Sequence, residues 1–520
     1  MDKFYITTTL PYVNSDPHLG FALEMVQADA IARYHRLLEQ EVFFNTGTDE
    51  HGLKIYRKAA EEGKDTQSYV DEYAEKFKKL MPALGISDDI HFIRTTDKHH
   101  VKACQEFWKH CAENGDIYKK NYNVKYCVGC ELEKTESDLD ENGQCPIHPN
   151  LKIEIIEEEN YFFRFSRYQQ PLLDLYEKHA DFVVPDFRFN EIREFVKRGL
   201  QDFSISRLKE KMPWGVPVPG DEKQVMYVWF DALINYVSTL GWPETHSMEH
   251  VARNMQNGTQ NIKQGAGGEQ FEQYWGTKDR PNAIQIAGKD NLRQQSAMWQ
   301  AMLMSAGLPN SRQIIIHGFI TSGGQKMSKS LGNVADPYEI LDRLQSKGLT
   351  KEQSTEALRY YLLREIPTFE DGDYTWERLV ESYNANLANG IGNLTSRILK
   401  MAVNASSKYQ VVSIKDNDIL KDELDIWLTL FDKYQLNKVC DWIWKDVVKS
   451  ADAYIQSTEP FKTIKINRKE GEDHIFHLLS ELNLLALALI PILPLTSKKI
   501  LEALENLEEN NIPRLFPRIV

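Results

Sequence analysis

Cys127-Val128-Gly129-Cys130 and Cys145-Pro146-Ile147-His148 form a CxxC and a CxxH pair. Three thiolates and one imidazole are the ligand set of a closed tetrahedral zinc site. A shell completed by protein leaves no position for water. The expected metal is therefore one structural Zn2+, folding an insertion too small for a core of its own. A redox CxxC pair and a chance cluster are the competing readings. Cys104, Cys111 and Cys440 are expected as buried small hydrophobes.

Lys326-Met327-Ser328-Lys329-Ser330 follows Gly323-Gly324, and it places two ammonium groups and two hydroxyls on a loop that can reach one phosphate chain. Phosphoryl chemistry depends largely on positioning and on neutralising charge on the oxygens, which lysines supply without a covalent step. A solvated basic loop is the plainer alternative. His18-Leu19-Gly20 stands where a loop enters a helix. Free backbone N–H groups there favour anions, histidine can donate to phosphate, and glycine lets a nucleotide approach the backbone. As an isolated triplet it also arises by chance.

The elements needed to hold these groups are legible. Lys3 to Leu10 is rich in β-branched and aromatic residues, Pro11 to Pro17 in turn formers, and Leu23, Val26, Ala30, Tyr34 and Leu37 recur at helical spacing. With a strand at Val42 to Thr46 this gives a βαβ unit of a parallel sheet, whose ligands sit beyond the strands' carboxyl ends. From Tyr118 to Tyr161 short strands and turns surround the cysteines and predict an insertion. Met226 to Phe230 and Ala283 to Ala287 are expected to resume the sheet, and Met248 to Gly268 reads as an exposed loop. After Tyr374 the apolar spacing of Leu387, Ile391, Leu394 and Ile398, then Leu424, Leu428 and Phe431, predicts a helical bundle. The helix through Leu478, Leu482, Leu485 and Leu489 is expected at its centre.

The chain has 520 residues, 42% of them hydrophobic and 27% charged, which is the composition of a folded protein of two to four domains. A formal charge of −14 excludes a uniformly positive surface for nucleic acid, leaving only a local basic face. Arg193, Lys197, Arg198, Arg207, Lys209 and Lys211 are one candidate for it. Met1 to Leu10 lacks the features of a secretory signal, and no apolar run is long enough to span a membrane. The cytoplasm is the expected compartment.

Taken together, the His18 and Lys326 to Ser330 motifs resemble the paired signatures of the class I aminoacyl-tRNA synthetases. Thr48-Asp49-Glu50-His51-Gly52, Ser204-Ile205-Ser206-Arg207, Tyr227-Val228-Trp229-Phe230-Asp231-Ala232 and Gly288-Lys289-Asp290 resemble the methionyl branch of that family. The resemblance implies an α/β fold with a Rossmann-type parallel-sheet catalytic domain, a zinc-binding insertion and an α-helical anticodon-binding bundle. The expected segments are 1–117 and 186–315 for the two catalytic halves, 118–185 for the insertion, 316–373 for the lysine loop and linker, and 374–520 for the bundle.

It further implies a ligase that activates L-methionine with ATP and Mg2+ and passes it to tRNA(Met). His18, Lys326 and Lys329 are the catalytic candidates, and His18, Gly20, Lys326, Ser328 and Lys329 the ATP contacts. Leu10, Tyr12, Asp49, Trp229, Ala232 and Tyr236 match the methionine pocket, with Asp49 facing the ammonium and the rings enclosing the side chain. Asn393, Arg397 and Phe461 match anticodon-reading positions. Three positions depart from the family pattern. Phe21 replaces a second histidine of the first motif, and Gln294 and Gln295 stand where relatives have an aromatic and a histidine. The chain ends at Val520 without the appended tRNA-binding, dimerising module of some relatives, and a monomer is expected.

Overall fold

The computed structural model describes residues 2–130, 132–134, 138–243, 267–327, 333–413 and 418–520. Six parallel strands form its main sheet, in the order His91–Arg94, Glu41–Thr48, Lys3–Thr8, Ala283–Gly288, Gln313–His317, Val183–Val184. Apolar residues run along them without alternation, as in Ile314, Ile315 and Ile316, all fully buried, with Thr7, Asn45 and Gln285 as buried polar exceptions. Strands covered on both faces read this way. The strand order reverses between Lys3–Thr8 and Ala283–Gly288, which creates the crevice where such sheets bind ligands.

Helix α1, Leu19–Leu37, follows the first strand and is buried along most of its length, including Glu24, Gln27 and Asp29. One hydrophobic core runs from α1 and the sheet into the C-terminal helices; a second covers the sheet's other face. Chain after Trp376 is almost wholly helical. The helix Arg468–Leu489 lies at its centre, with Leu478, Leu482, Leu485 and Leu489 buried against Asn393–Asn404 and Pro494–Glu505.

Two expectations are corrected. The insertion is built on strands longer than expected, Ile117–Cys127 and Glu154–Phe163, paired antiparallel and extended by Leu132–Lys134 and Phe203–Ser204. Met226 to Phe230 does not join the parallel sheet. Asp221–Met226 pairs antiparallel with Ser206–Leu208, and Val228–Asp231 is a helical turn. A short apolar run cannot distinguish a buried strand from a buried turn of helix. The Met248 to Gly268 segment lies outside the described residues except for Gly267 and Gly268, which begin the helix Gly267–Trp275.

Candidate active site and metal centre

A cavity of about 860 Å³ opens at the carboxyl ends of the central strands. Thr9 and Leu10 extend into it from the strand Lys3–Thr8, Asp49 from Glu41–Thr48, Gly288 and Asp290 from Ala283–Gly288, and His317 from Gln313–His317. Leu10, Tyr12, Asp49, Trp229, Ala232 and Tyr236 all line this one space, together with His18, Gly20 and Met327. Residues separated by more than 200 positions thus converge at the topological switch point.

His18 is the N-cap of α1, and its Nδ1 accepts from the Gly20 backbone N–H at 3.1 Å. The ring's Nε2 is therefore the nitrogen that carries the proton in the neutral form. A Cβ on Gly20 would lie 3.0 Å from His18 Cε1, so glycine permits this close cap. Phe21 is buried edge-on against Phe77, with ring centroids 5.1 Å apart. It contributes an apolar wall to the cavity.

Asp49 is laced to the chain opposite: its N–H donates to Pro11 O at 2.9 Å, and Val13 N–H donates to its carbonyl at 3.1 Å. The next residues brace the site. Arg94 donates to both carboxylate oxygens of Glu50, at 2.7 and 2.9 Å. His51 Nδ1 meets Asp231 Oδ2 at 2.8 Å, with both groups buried. That contact ties the Asp49 loop to the helical turn carrying Trp229. Burial holds the Asp231 carboxyl above its ordinary range despite His51.

Glu24 and His317, which sequence reasoning passed over, form a buried pair at the cavity wall. His317 Nε2 lies 2.9 Å from Glu24 Oε2, and Nδ1 lies 2.7 Å from the Gly318 carbonyl. The Gly318 carbonyl can only accept, and Glu24 accepts when ionised, so this pair of neighbours favours the doubly protonated ring. Burial works against the charge, but Glu24 and the carbonyl outweigh it and raise the His317 pKa above 6.5. Glu24 Oε1 also accepts from Thr9 N and Thr9 Oγ1, at 2.7 and 2.6 Å. The available signal was a carboxylate among the apolar residues of the first turns of α1, beside Leu23 and Met25.

The lysine loop leaves a hairpin. Ser322 pairs with Gln325 across Gly323 and Gly324, whose φ values of +61° and +76° suit the two-residue turn that only glycine adopts freely. Lys326 ends the second strand, and Ser328, Lys329 and Ser330 lie outside the described residues. Lys289 does not line the cavity and is paired with Asp371 at 2.6 Å. Of the two unusual glutamines only Gln295 lines the cavity.

The four metal-ligand candidates are brought together, their ligand atoms all within 4.8 Å of one another. Cys130 Sγ lies 3.5 Å from Cys145 Sγ and 3.2 Å from His148 Nδ1, and Cys127 Sγ lies 3.8 Å from that nitrogen. Four ligands about 2.3 Å from a common centre stand roughly 3.8 Å apart in a tetrahedron, so the set fits Zn2+. Gly129 is required here, because a Cβ would fall 2.5 Å from His148 Cγ. Gly129, Cys130 and His148 also border the cavity mouth. Cys104, Cys111 and Cys440 are buried.

In the helical region Asn393 is exposed at the start of its helix and Arg397, one turn on, pairs with Asp452. Phe461 is 45% exposed just after Pro460. The structure joins Arg397 to the helix preceding Phe461, and among the described residues gives Asn393 no such link. The candidate basic stretch is not a continuous face: Arg207 is buried over the Tyr227 ring, and Lys197 pairs with Glu194. Among the described residues no helix is long and apolar enough to cross a membrane.

The chain matches a family model described as class I tRNA synthetases (M) over residues 4–154 and 141–399. It is 40% identical to the methionine–tRNA ligase of Thermotoga maritima, across 96% of this chain and 74% of that one. With the Synechocystis methionine–tRNA ligase the identity is 39%, across 96% and 89%. The structure of Mycobacterium tuberculosis methionyl-tRNA synthetase in complex with methionyl-adenylate superposes with a TM-score of 0.83 at 34% identity, covering 100% of this chain and 97% of that one. Sequence, fold and the joining of distant motifs in one crevice agree, and the chain belongs to the methionine–tRNA ligases of the class I tRNA synthetase family.

Proposed function

We propose that this cavity activates L-methionine with ATP and transfers the methionyl group to tRNA(Met). The observation that carries the reading is the convergence of His18 with Leu10, Tyr12, Asp49, Trp229, Ala232 and Tyr236 on one space at the sheet's switch point. Asp49 pairs with the substrate ammonium, and the rings of Tyr12, Trp229 and Tyr236 enclose the flexible side chain. The substrate carboxylate attacks the α-phosphorus of ATP; the bond to the bridging oxygen breaks, and its electron pair leaves on pyrophosphate. His18 donates to the phosphate chain while Lys326 and Lys329, with Ser328 beside them, neutralise charge building on the oxygens. Gly20 keeps the backbone open to the nucleotide. A ribose hydroxyl of the tRNA's terminal adenosine then attacks the acyl carbonyl, releasing AMP and the hydroxyl proton.

Mg2+ accompanying ATP supplies further charge neutralisation when bound. Cys127, Cys130, Cys145 and His148 hold one structural Zn2+, which orders the knuckle at the cavity mouth. Asn393, Arg397 and Phe461 meet the anticodon, the ring by stacking and the polar groups at base edges. The test is charging of tRNA(Met) with radiolabelled methionine. Methionine transfer that depends on ATP supports the proposal; adenylate without transfer, or neither, refutes it.

A further inference from the structure

Three cations beside the cavity lie on aromatic rings, and one of them has no carboxylate of its own. The helix Asp186–Lys197 starts at the carboxyl end of the sheet, directly after the strand Val183–Val184. Arg188 on this helix lies over the Phe187 ring, 5.0 Å from its centroid. Two turns further along the same face, Phe195 carries the Arg293 guanidinium at 4.5 Å. Lys289, shortly before Arg293 in the chain, lies 4.6 Å from the centroid of the Phe319 ring. Phe319 and Asn291 both line the cavity, so these pairs stand at its rim.

The three pairs are neighbours. Burial raises the Asp371 carboxyl, but Lys289, the Phe319 N–H and Arg188 outweigh it and hold it below its ordinary range, so Lys289 and Arg188 share one carboxylate. Arg188 also pairs with Glu191 at 2.6 Å. Arg293 differs: it is exposed and forms no ion pair or hydrogen bond among the described residues. Its only hold is the Phe195 ring, which fixes the guanidinium plane and leaves the N–H edges free. An arginine held this way has already lost part of the side-chain freedom that binding would cost it. At the start of the same helix the Phe187 ring is 48% exposed. A guanidinium edge suits a phosphodiester, and an open ring suits an unpaired base.

We infer that this rim is the track by which the single-stranded 3′ end of the tRNA enters the cavity: Arg293 holds a phosphate of that strand and Phe187 stacks one of its bases. The inference rests on the tRNA-charging reading of the cavity. Continuity and charge select this occupant. The terminal adenosine must reach the cavity, so the strand attached to it must cross the rim. In a chain of formal charge −14, an unpaired arginine at that crossing is a local exception that a polyanion matches.

The test separates transfer from activation. Arg293→Ala and Phe187→Ala should each lower kcat/KM for tRNA(Met) in charging about tenfold, the effect of one charge-assisted bond or one stacked base. Both should leave ATP–pyrophosphate exchange unchanged, with the same KM for methionine and for ATP. Arg293→Lys should recover only part of the loss, because an ammonium keeps the charge but not the stacked fork. In binding measurements Arg293→Ala should weaken intact tRNA(Met) but not tRNA(Met) trimmed of its single-stranded 3′ end. Unchanged charging in both variants, exchange that falls as far as charging, or equal weakening of intact and trimmed tRNA overturns the track. Absence of methionine-dependent exchange in the unmodified enzyme overturns the reading of the cavity instead.

Discussion

Arg359 is fully buried, and its guanidinium reaches Asp29 Oδ2 at 2.8 Å, on the helix that His18 caps. It also donates to the carbonyls of Leu84, Gly85, Pro491 and Ile492, at 3.1 to 3.3 Å. One side chain thus fastens α1 to the chain near residue 85 and to the end of the central C-terminal helix. Breaking a buried ion pair from one side costs about 3–5 kcal/mol. The two sides are unequal here. Without Arg359, Asp29 keeps Arg33 at 2.8 Å and both Ser87 donors, at 2.9 and 2.6 Å. Without the Asp29 charge, Arg359 keeps only the weaker attraction of the buried Glu356 carboxyl among the described residues.

Asp29→Asn should therefore cost more, about 5 kcal/mol, and Arg359→Met less, about 3 kcal/mol. Urea unfolding followed by tryptophan fluorescence measures both, provided the denaturant slope is unchanged. A loss below about 1 kcal/mol in Asp29→Asn, or a reversed order, refutes the reasoning. The pH dependence gives a further check. Burial raises the Asp29 pKa, but Arg359 and Arg33 outweigh it and hold the value below 3.8. Its contribution is present above 3.8 and is lost as pH falls through the folded-state value. Asp29→Asn should lack that acid-side loss.

Lys329→Ala should slow adenylate formation by about 100-fold while leaving methionine affinity near normal, because the lysine meets only developing phosphate charge; rapid-quench kinetics with equilibrium dialysis separates the two. Elemental analysis should find one zinc per chain, and Cys145→Ser should lower metal affinity and loosen the insertion, as read by limited proteolysis. The His317 imidazolium has a folded-state pKa raised above 6.5, so its stabilising bond to Glu24 is fully present below 6.5 and is lost as pH rises through the raised value. Melting temperature across that range should decline in the unmodified enzyme, and His317→Gln should remove this component of the decline.

The first strand, α1, the metal knuckle and the helical C-terminal region were legible because each announces itself locally, through apolar spacing, a helix cap or paired thiolates. The methionine pocket was legible only as a resemblance. No local pattern distinguishes the Tyr236 of a pocket from that of a core, and only the sheet crossover brings it to Asp49. The Met226 to Phe230 run misled because Val225, Met226, Val228 and Phe230 are all buried, first on a strand and then on a helical turn. What sequence reasoning missed altogether is long-range pairing of buried polar groups. Glu24 and His317 are 293 positions apart, and nothing local in either segment points to the other.

The most direct test of the central claim is ATP–pyrophosphate exchange with methionine, leucine, norleucine, homocysteine and cysteine offered separately. The account predicts exchange that requires an amino acid, is fastest with methionine and falls sharply in Asp49→Asn through a raised methionine KM. No exchange with any of the five, or a preference for one other than methionine, would contradict it.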